Sequence, residues 1–212
     1  MVVIKLYTEG GAHPHTNPNA MTVTNTAALR ESLNKLFNAA FSIEKVRVEC
    51  ILCGSDVGTK KAFMKSATGN NYLLIDLDGE RDSKTTKLTA FDLLEVASKV
   101  FFMVQSMESW LLSQPQRLQI GLSARYIKHS LIELADDILI VGKSIEQISN
   151  ADAVLDKLLK NHFHQKNGDV LKPLKYGKLK NAHEIIELLD IHELRNAFIE
   201  VDDLLCTIER II

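Results

Sequence analysis

The chain has 212 residues, 46% hydrophobic and 25% charged, with a formal net charge of -2. That is the mixture of a globular chain able to bury its own core without metal or disulfide staples; it excludes a globally basic nucleic-acid binder and leaves only local basic patches open. Cys50, Cys53 and Cys206 are an odd count with no secretory segment, which argues against a disulfide framework. The start "MVVIKLYTEGG" has too short an apolar stretch for a signal peptide, and no apolar run approaches the roughly 18 residues of a membrane span. The expectation is a cytoplasmic protein with reduced thiols, bound to no membrane.

"VVIKLY" is β-branched and short, a first strand. "TEGGAHPHTNPNA" is a loop by its Gly, Pro, Asn and His content. From about Thr24 a helical period begins, with Ala27, Ala28, Leu29, Leu33, Leu36, Phe37 and Ala40 at three- and four-residue spacing. "KVRVECILC" is a second strand; "GSDVGTKKAFMKSA" turns at glycine and starts a short helix near Asp56. "YLLIDLD" is a third strand, "LTAFDLLEVASKV" a helix, "VFFMVQ" a candidate fourth strand, and "SMESWLLSQ" a helix begun at Ser106. This alternation predicts parallel pairing with right-handed crossovers, and the near-continuous apolar strands suit a sheet covered on both faces.

From Gln114 the pattern changes. "LSARYIKHSLIELADDILIVGKSIEQ", "NADAVLDKLLKNHF" and "NAHEIIELLDIHELRNAFIEVDDLLCTIERII" are mostly helical in period, although "DDILIV" also reads as a strand. "HQKNGDVLKPLKYGKLK" reads as a basic, polar connector. The expected organisation is an α/β domain over residues 1–113, with a mainly parallel four-stranded sheet flanked by helices, and a mostly helical region over 114–212 packed on it.

Ligands gather outside the carboxyl ends of the strands of an open parallel sheet. Glu9 falls there after strand one, and Asp76 and Asp78 at the end of strand three. Residues two apart in a strand face one side, so the two aspartates are expected to point together, with Leu77 turned away. Glu9 joins them if strands one and three are neighbours. Three carboxylates in one mouth repel unless a cation is present, and hard oxygen donors select Mg²⁺ or Mn²⁺ over zinc.

The pair "YTEGG" and "LIDLDGE" resembles the Toprim domain of topoisomerases, primases and several nucleases, in which a glutamate follows the first strand and a D-x-D ends the third. The resemblance covers residues 1 to about 112. "FFMVQSMESWLL" and "YGKLKNAHEIIELLDIHELRNAFIEVDDLL" are similar to segments of a bacterial Toprim-like family, domain of unknown function four-two-seven-six, which extends the likeness over nearly the whole chain. Such families commonly stand beside ATPase genes in phage-defence or mobile loci. The resemblance implies a metal-dependent phosphodiester hydrolase acting on DNA or RNA, a defence effector working with an ATPase partner. One departure concerns the first loop, where "EGGAHPH" carries His13 and His15 in place of a second acid.

In that reading Asp76 and Asp78 hold Mg²⁺, Glu9 is the general base or acid or a ligand to a second metal, and Glu108 serves a second metal or orients water. Lys60, Lys61, Lys65, Lys175 and Lys178 are candidates for phosphate contacts; the resemblance favours Lys175 and Lys178, which flank Tyr176.

Plainer readings stand beside each of these. Asp76 and Asp78 can be turn acids that cap the next element, Glu108 can serve a helix N-terminus, and the lysines can be a solvated face. Trp110 and Phe101 read as core. "HPH" and "HFH" (His162, His164) lack the further ligands zinc needs, "HEIIE" ends in Glu187 where a metalloprotease has histidine, and Cys50 and Cys53 sit three apart in a strand and so face opposite sides. "EGG" lacks the phosphate-loop pattern. The rivals are a non-catalytic Toprim-fold binding or regulatory subunit and, less well matched, a receiver-like regulator, for which "VFFMVQ" supplies no strand-end lysine.

Overall fold

The computed structural model describes residues 1–11, 20–66 and 68–212; His13 and His15 lie outside them. Strands β1 (Val2–Thr8), β2 (Val46–Leu52), β3 (Asn71–Asp76) and β4 (Val100–Met103) form one sheet in the order β2-β1-β3-β4, every pair parallel. This is the α/β architecture expected from the alternating pattern, and it makes the first and third strands neighbours. Helix α1 (Ala20–Asn38) links β1 to β2, and α2 (Asp56–Met64) links β2 to β3. α1 starts earlier than its apolar period, and α2 starts where Ser55 Oγ accepts the Gly58 N–H at 3.2 Å.

The next segment departs from a single helix. α3 (Lys84–Ala90) stops early, because Asp92 takes a left-handed φ of 51°, and the chain continues as 3-10 turns over Leu94–Lys99. After β4 come α4 (Met107–Leu112) and α5 (Pro115–Ser123), the latter with proline in its first turn, where a missing N–H costs nothing.

Beyond α5 the chain holds β5 (Ile127–Lys128), α6 (Ala151–His162), β6 (Phe163–Asn167), β7 (Val170–Pro173), α7 (Ala182–Ile186), α8 (Ile191–Ala197) and α9 (Ile199–Glu209). β5, β6 and β7 form a small antiparallel sheet. The supposed connector is therefore a hairpin that turns at Gly168-Asp169, with Gly168 at φ 61°. In "DDILIV", Asp136 ends a 3-10 turn begun at Leu134, and the rest is neither helix nor strand. Asp137 Oδ1 accepts the Leu139 N–H at 2.8 Å and Asp137 Oδ2 meets His162 Nε2 at 2.8 Å, so a local side-chain bond takes the place of regular pairing.

Strand alternation sorts the core into two layers. Ile4, Leu6, Val48, Cys50, Tyr72, Leu74, Phe101 and Met103 pack with Leu33 and Phe37 of α1 and with the C-terminal helices. Tyr7, Cys53, Leu73, Ile75, Leu77 and Phe102 pack on the other face with Phe63 of α2 and Leu88 of α3. Cys50 and Cys53 thus lie on opposite faces, as their spacing requires. Trp110 is buried beside Phe37 and Phe198, ring centroids 6.1 and 6.5 Å away. Among the described residues no helix is long and apolar enough to cross a membrane.

β2 is an edge strand, and α1 covers its edge with amides. Asn38 Nδ2 donates to the Val48 carbonyl and Asn38 Oδ1 accepts the Val48 N–H, each at 2.8 Å; Asn34 Oδ1 accepts the Cys50 N–H at 2.7 Å. Val48 is buried, so Asn38→Ala orphans two backbone groups at once. Urea denaturation of that variant is expected to show a loss of about 1–3 kcal/mol; unchanged stability would contradict this account of the edge.

Candidate functional site at the carboxyl end of the sheet

β1 ends at Thr8, and the next residues turn tightly. Gly10 (φ 112°) exchanges two backbone hydrogen bonds with Gly54, at 2.7 and 2.9 Å, which ties the loop after β1 to the loop after β2. Gly11 (φ 80°) follows, where an added Cβ would meet the Thr26 methyl at 2.6 Å. With the loop held this way, Glu9 turns across to β3, and its Oε1 accepts the Asp76 backbone N–H at 2.7 Å.

Asp76 itself is buried. Its Oδ1 accepts the N–H of Met107, the first residue of α4, at 2.9 Å; Ser106, in the N-cap position, makes no side-chain capping bond. Asp76 does cap a helix, but not the next element, as the plainer reading had it: it takes the place of an N-cap side chain on α4, beyond β4. Its Oδ2 meets Lys178 Nζ at 3.1 Å. Burial, helped by the hydrogen bond and charge of Glu9, pushes the Asp76 carboxyl well above the usual carboxylate range, while Lys178 pulls the other way.

Glu108, buried in the first turn of α4, accepts the Tyr176 hydroxyl at 2.7 Å. Burial, then the negative charge of Glu108, raises Tyr176 well above an ordinary phenol, so the hydroxyl remains a donor. Lys178 is also partly withdrawn from solvent. Burial works to lower its pKa, but the charges of Asp76, Glu108 and Glu9 together raise it above the usual ammonium value. The loop that carries Tyr176 and Lys178 is clamped by Asn181, whose Oδ1 accepts the Gly177 N–H and whose Nδ2 donates to the Lys175 carbonyl, both at 3.0 Å.

The structure therefore brings Glu9, Asp76 and Glu108 around one ammonium, that of Lys178. Asp78 does not share those partners. It takes a left-handed φ of 57°, and its exposed carboxylate pairs with Lys87 of α3. The expected side-by-side aspartates are separated by this turn, because the strand geometry that would align them ends at Asp76. Leu77 does face the opposite layer, as the alternation requires.

Asp76, Asp78, Glu108, Tyr176 and Lys178 line a cleft of about 810 Å³, whose far wall is the start of α6: Ser149, Asn150, Ala151, Asp152, Ala153 and Asp156. Sequence reasoning missed that wall, since nothing in "SNADAV" marks it as lying opposite Asp76. It also left Tyr176 without a role. Lys60, on α2, and Lys175 are not among the cleft's lining residues; Lys175 acts on Asp156 at its edge.

The donors fit a hard divalent cation in chemistry, since all are carboxylate oxygens. In arrangement, Asp76 has both oxygens engaged, and among the described residues no group of three Asp, Glu, His or Cys side chains converges as a metal site.

Because the Asp76 carboxyl holds its proton more tightly folded than unfolded, its contribution to stability is complete below the unfolded carboxylate pKa of about 4 and is lost as pH rises through the folded value. In EDTA, the stability of the native protein relative to Asp76→Asn is expected to fall as pH is raised from about 4, read by urea denaturation across a pH series. A difference that stays level or grows with pH would contradict it.

No protein-family model matches the chain, and neither a curated protein nor a solved structure matches it.

Proposed function

We propose that the protein is a metal-dependent phosphodiester hydrolase of Toprim type, acting on nucleic acid at the cleft between the sheet end and α6. The observation that carries this reading is that Glu9, Asp76 and Glu108 lie near one another at the carboxyl end of a parallel sheet, with Lys178, among the described residues, the ammonium paired with them through Asp76. Three buried or half-buried carboxyl groups beside one lysine are more than the capping of one helix requires, and a divalent cation would use them, displacing the proton that burial favours on Asp76.

Glu9 and Asp76 would hold Mg²⁺ or Mn²⁺, with Glu108 beside them; when bound, the ion supplies Lewis-acid stabilisation of charge developing on a phosphate oxygen. The chain's own groups do the rest. Tyr176 fixes the rotamer of Glu108 through its hydroxyl, which orients that carboxylate toward an attacking water. Lys178, once released from Asp76, would be free to contact a substrate phosphate in the same cleft. Asp78 and Lys87 stand at the rim as a pair. A defence role with an ATPase partner belongs to this proposal through the family resemblance alone.

A second reading, a non-catalytic subunit that keeps the fold, is favoured by one observation: Lys178 and the Met107 amide already satisfy both oxygens of Asp76. Two measurements separate the readings. In a cleavage assay on plasmid, single-stranded DNA and tRNA with Mn²⁺, Glu9→Gln and Asp76→Ala are each expected to lose activity by about 10²-fold or more; cleavage that survives in both ends the assignment. In a thermal melt, Lys178→Met is expected to be less stable than the native protein in EDTA, since it strips the cluster of its internal cation. It is also expected to recover more on adding Mg²⁺ than the native protein does. Equal Mg²⁺ responses in the two proteins would favour the non-catalytic reading.

A further inference from the structure

The segment 160–180 carries six lysines and a single acid, Asp169, in a chain whose net charge is -2. Its centre is the β6–β7 hairpin. β5 pairs with β6 only at Phe163 and His164, so the hairpin beyond that point is a free two-stranded ribbon. From Lys166 through Pro173 every residue is exposed, including Val170 and Leu171, which are 56% and 51% accessible. Apolar side chains left about half accessible on a projecting ribbon suit a partner, because a two-stranded hairpin gains little stability alone.

The register puts Lys166 opposite Leu171 and Lys172 opposite Gln165. Facing residues of an antiparallel pair share a side, and adjacent pairs alternate, so Lys166 and Lys172 project from opposite faces of the ribbon. Neither has an acidic partner among the described residues. A solvated surface or a flat anionic partner needs no such two-sided arrangement. A groove walled by phosphates on both sides does. The major groove of B-form DNA, about 12 Å wide, admits a two-stranded ribbon, whereas the major groove of A-form RNA is too narrow and deep for side chains to enter.

The ribbon is also coupled to the cleft. Leu174 N–H donates to the Phe163 carbonyl at 2.8 Å at its base, and two residues later Tyr176 N–H reaches Asp156 Oδ1 at 3.0 Å, back along α6. Asp156 to Phe163 spans roughly 10 Å at 1.5 Å per helical residue. Lys172, Lys175 and Lys178 thus mark a basic path from ribbon to cleft.

We propose that the β6–β7 hairpin is a DNA-binding ribbon that enters the major groove of duplex DNA, with Lys166 and Lys172 contacting phosphates on its two walls. That the bound duplex is led to the carboxylate cluster rests on the phosphodiesterase reading; the docking itself does not.

The test is fluorescence anisotropy of the full chain with a labelled DNA duplex in EDTA, where binding is read without chemistry. The native protein is expected to bind with an affinity that falls steeply with salt. Lys166→Glu with Lys172→Glu should lower affinity at least tenfold and reduce the slope of log K against log salt by about 2. Asp169→Lys at the tip should raise affinity, and Lys143→Glu, an exposed charge reversal off the ribbon, should leave it unchanged. Native protein that binds the duplex in EDTA yet fails to cleave it when Mn²⁺ is supplied supports the ribbon while counting against the hydrolase. Native affinity in the double variant, or equal binding to duplex RNA of the same sequence, overturns the proposal.

Discussion

The structure turns on the compensation of one buried carboxylate. Asp76 ends the third strand under cover, and four contacts make that position tenable: its own amide on Glu9, its Oδ1 on the first amide of α4, its Oδ2 on Lys178, and the neighbouring Tyr176–Glu108 pair that occupies Glu108. These partners come from the loop after β1, the start of α4, and a loop a hundred residues further along. A single side chain therefore joins the parallel sheet to the C-terminal region, and the cost of an unpaired buried charge explains why all of them close on it.

The same contacts make the site conditional. Lys178 is an internal cation on a loop, clamped by Asn181 and partly exposed, whereas Asp76 and Glu108 sit on rigid elements. In the proposed cation site an external charge would take the place of this lysine, which is tied to the cluster by its one ion pair to Asp76. The hairpin that precedes the loop is exposed from Lys166 through Pro173, and its second strand runs on through Leu174 into the chain that carries Lys178.

Much of this was legible in the sequence. The four strands, their parallel pairing, the adjacency of Glu9 to Asp76 and the core roles of Trp110 and Phe101 follow from apolar periodicity and from the position of acids at strand ends. The parts that were not legible share a cause. Asp78 left its expected place because one left-handed residue ends the strand alternation, and "LTAFDLLEVASKV" broke at Asp92 for the same reason. The pairing of Lys178 with Asp76, and the wall formed by α6, depend on how distant segments fold back, which no local period encodes. The hairpin was different: its Gly-Asp turn was visible in "HQKNGDVLKP", but the lysines and proline around it read as a linker.

The central claim is that Glu9, Asp76 and Glu108 form a cation site for which Lys178 stands in. Isothermal calorimetry with Mn²⁺ on the full chain tests it most directly, comparing the native protein with Glu9→Gln and Lys178→Met. The account predicts one site in the native protein, weakened by Glu9→Gln and tightened by Lys178→Met. No heat of binding in either the native protein or Lys178→Met would contradict it.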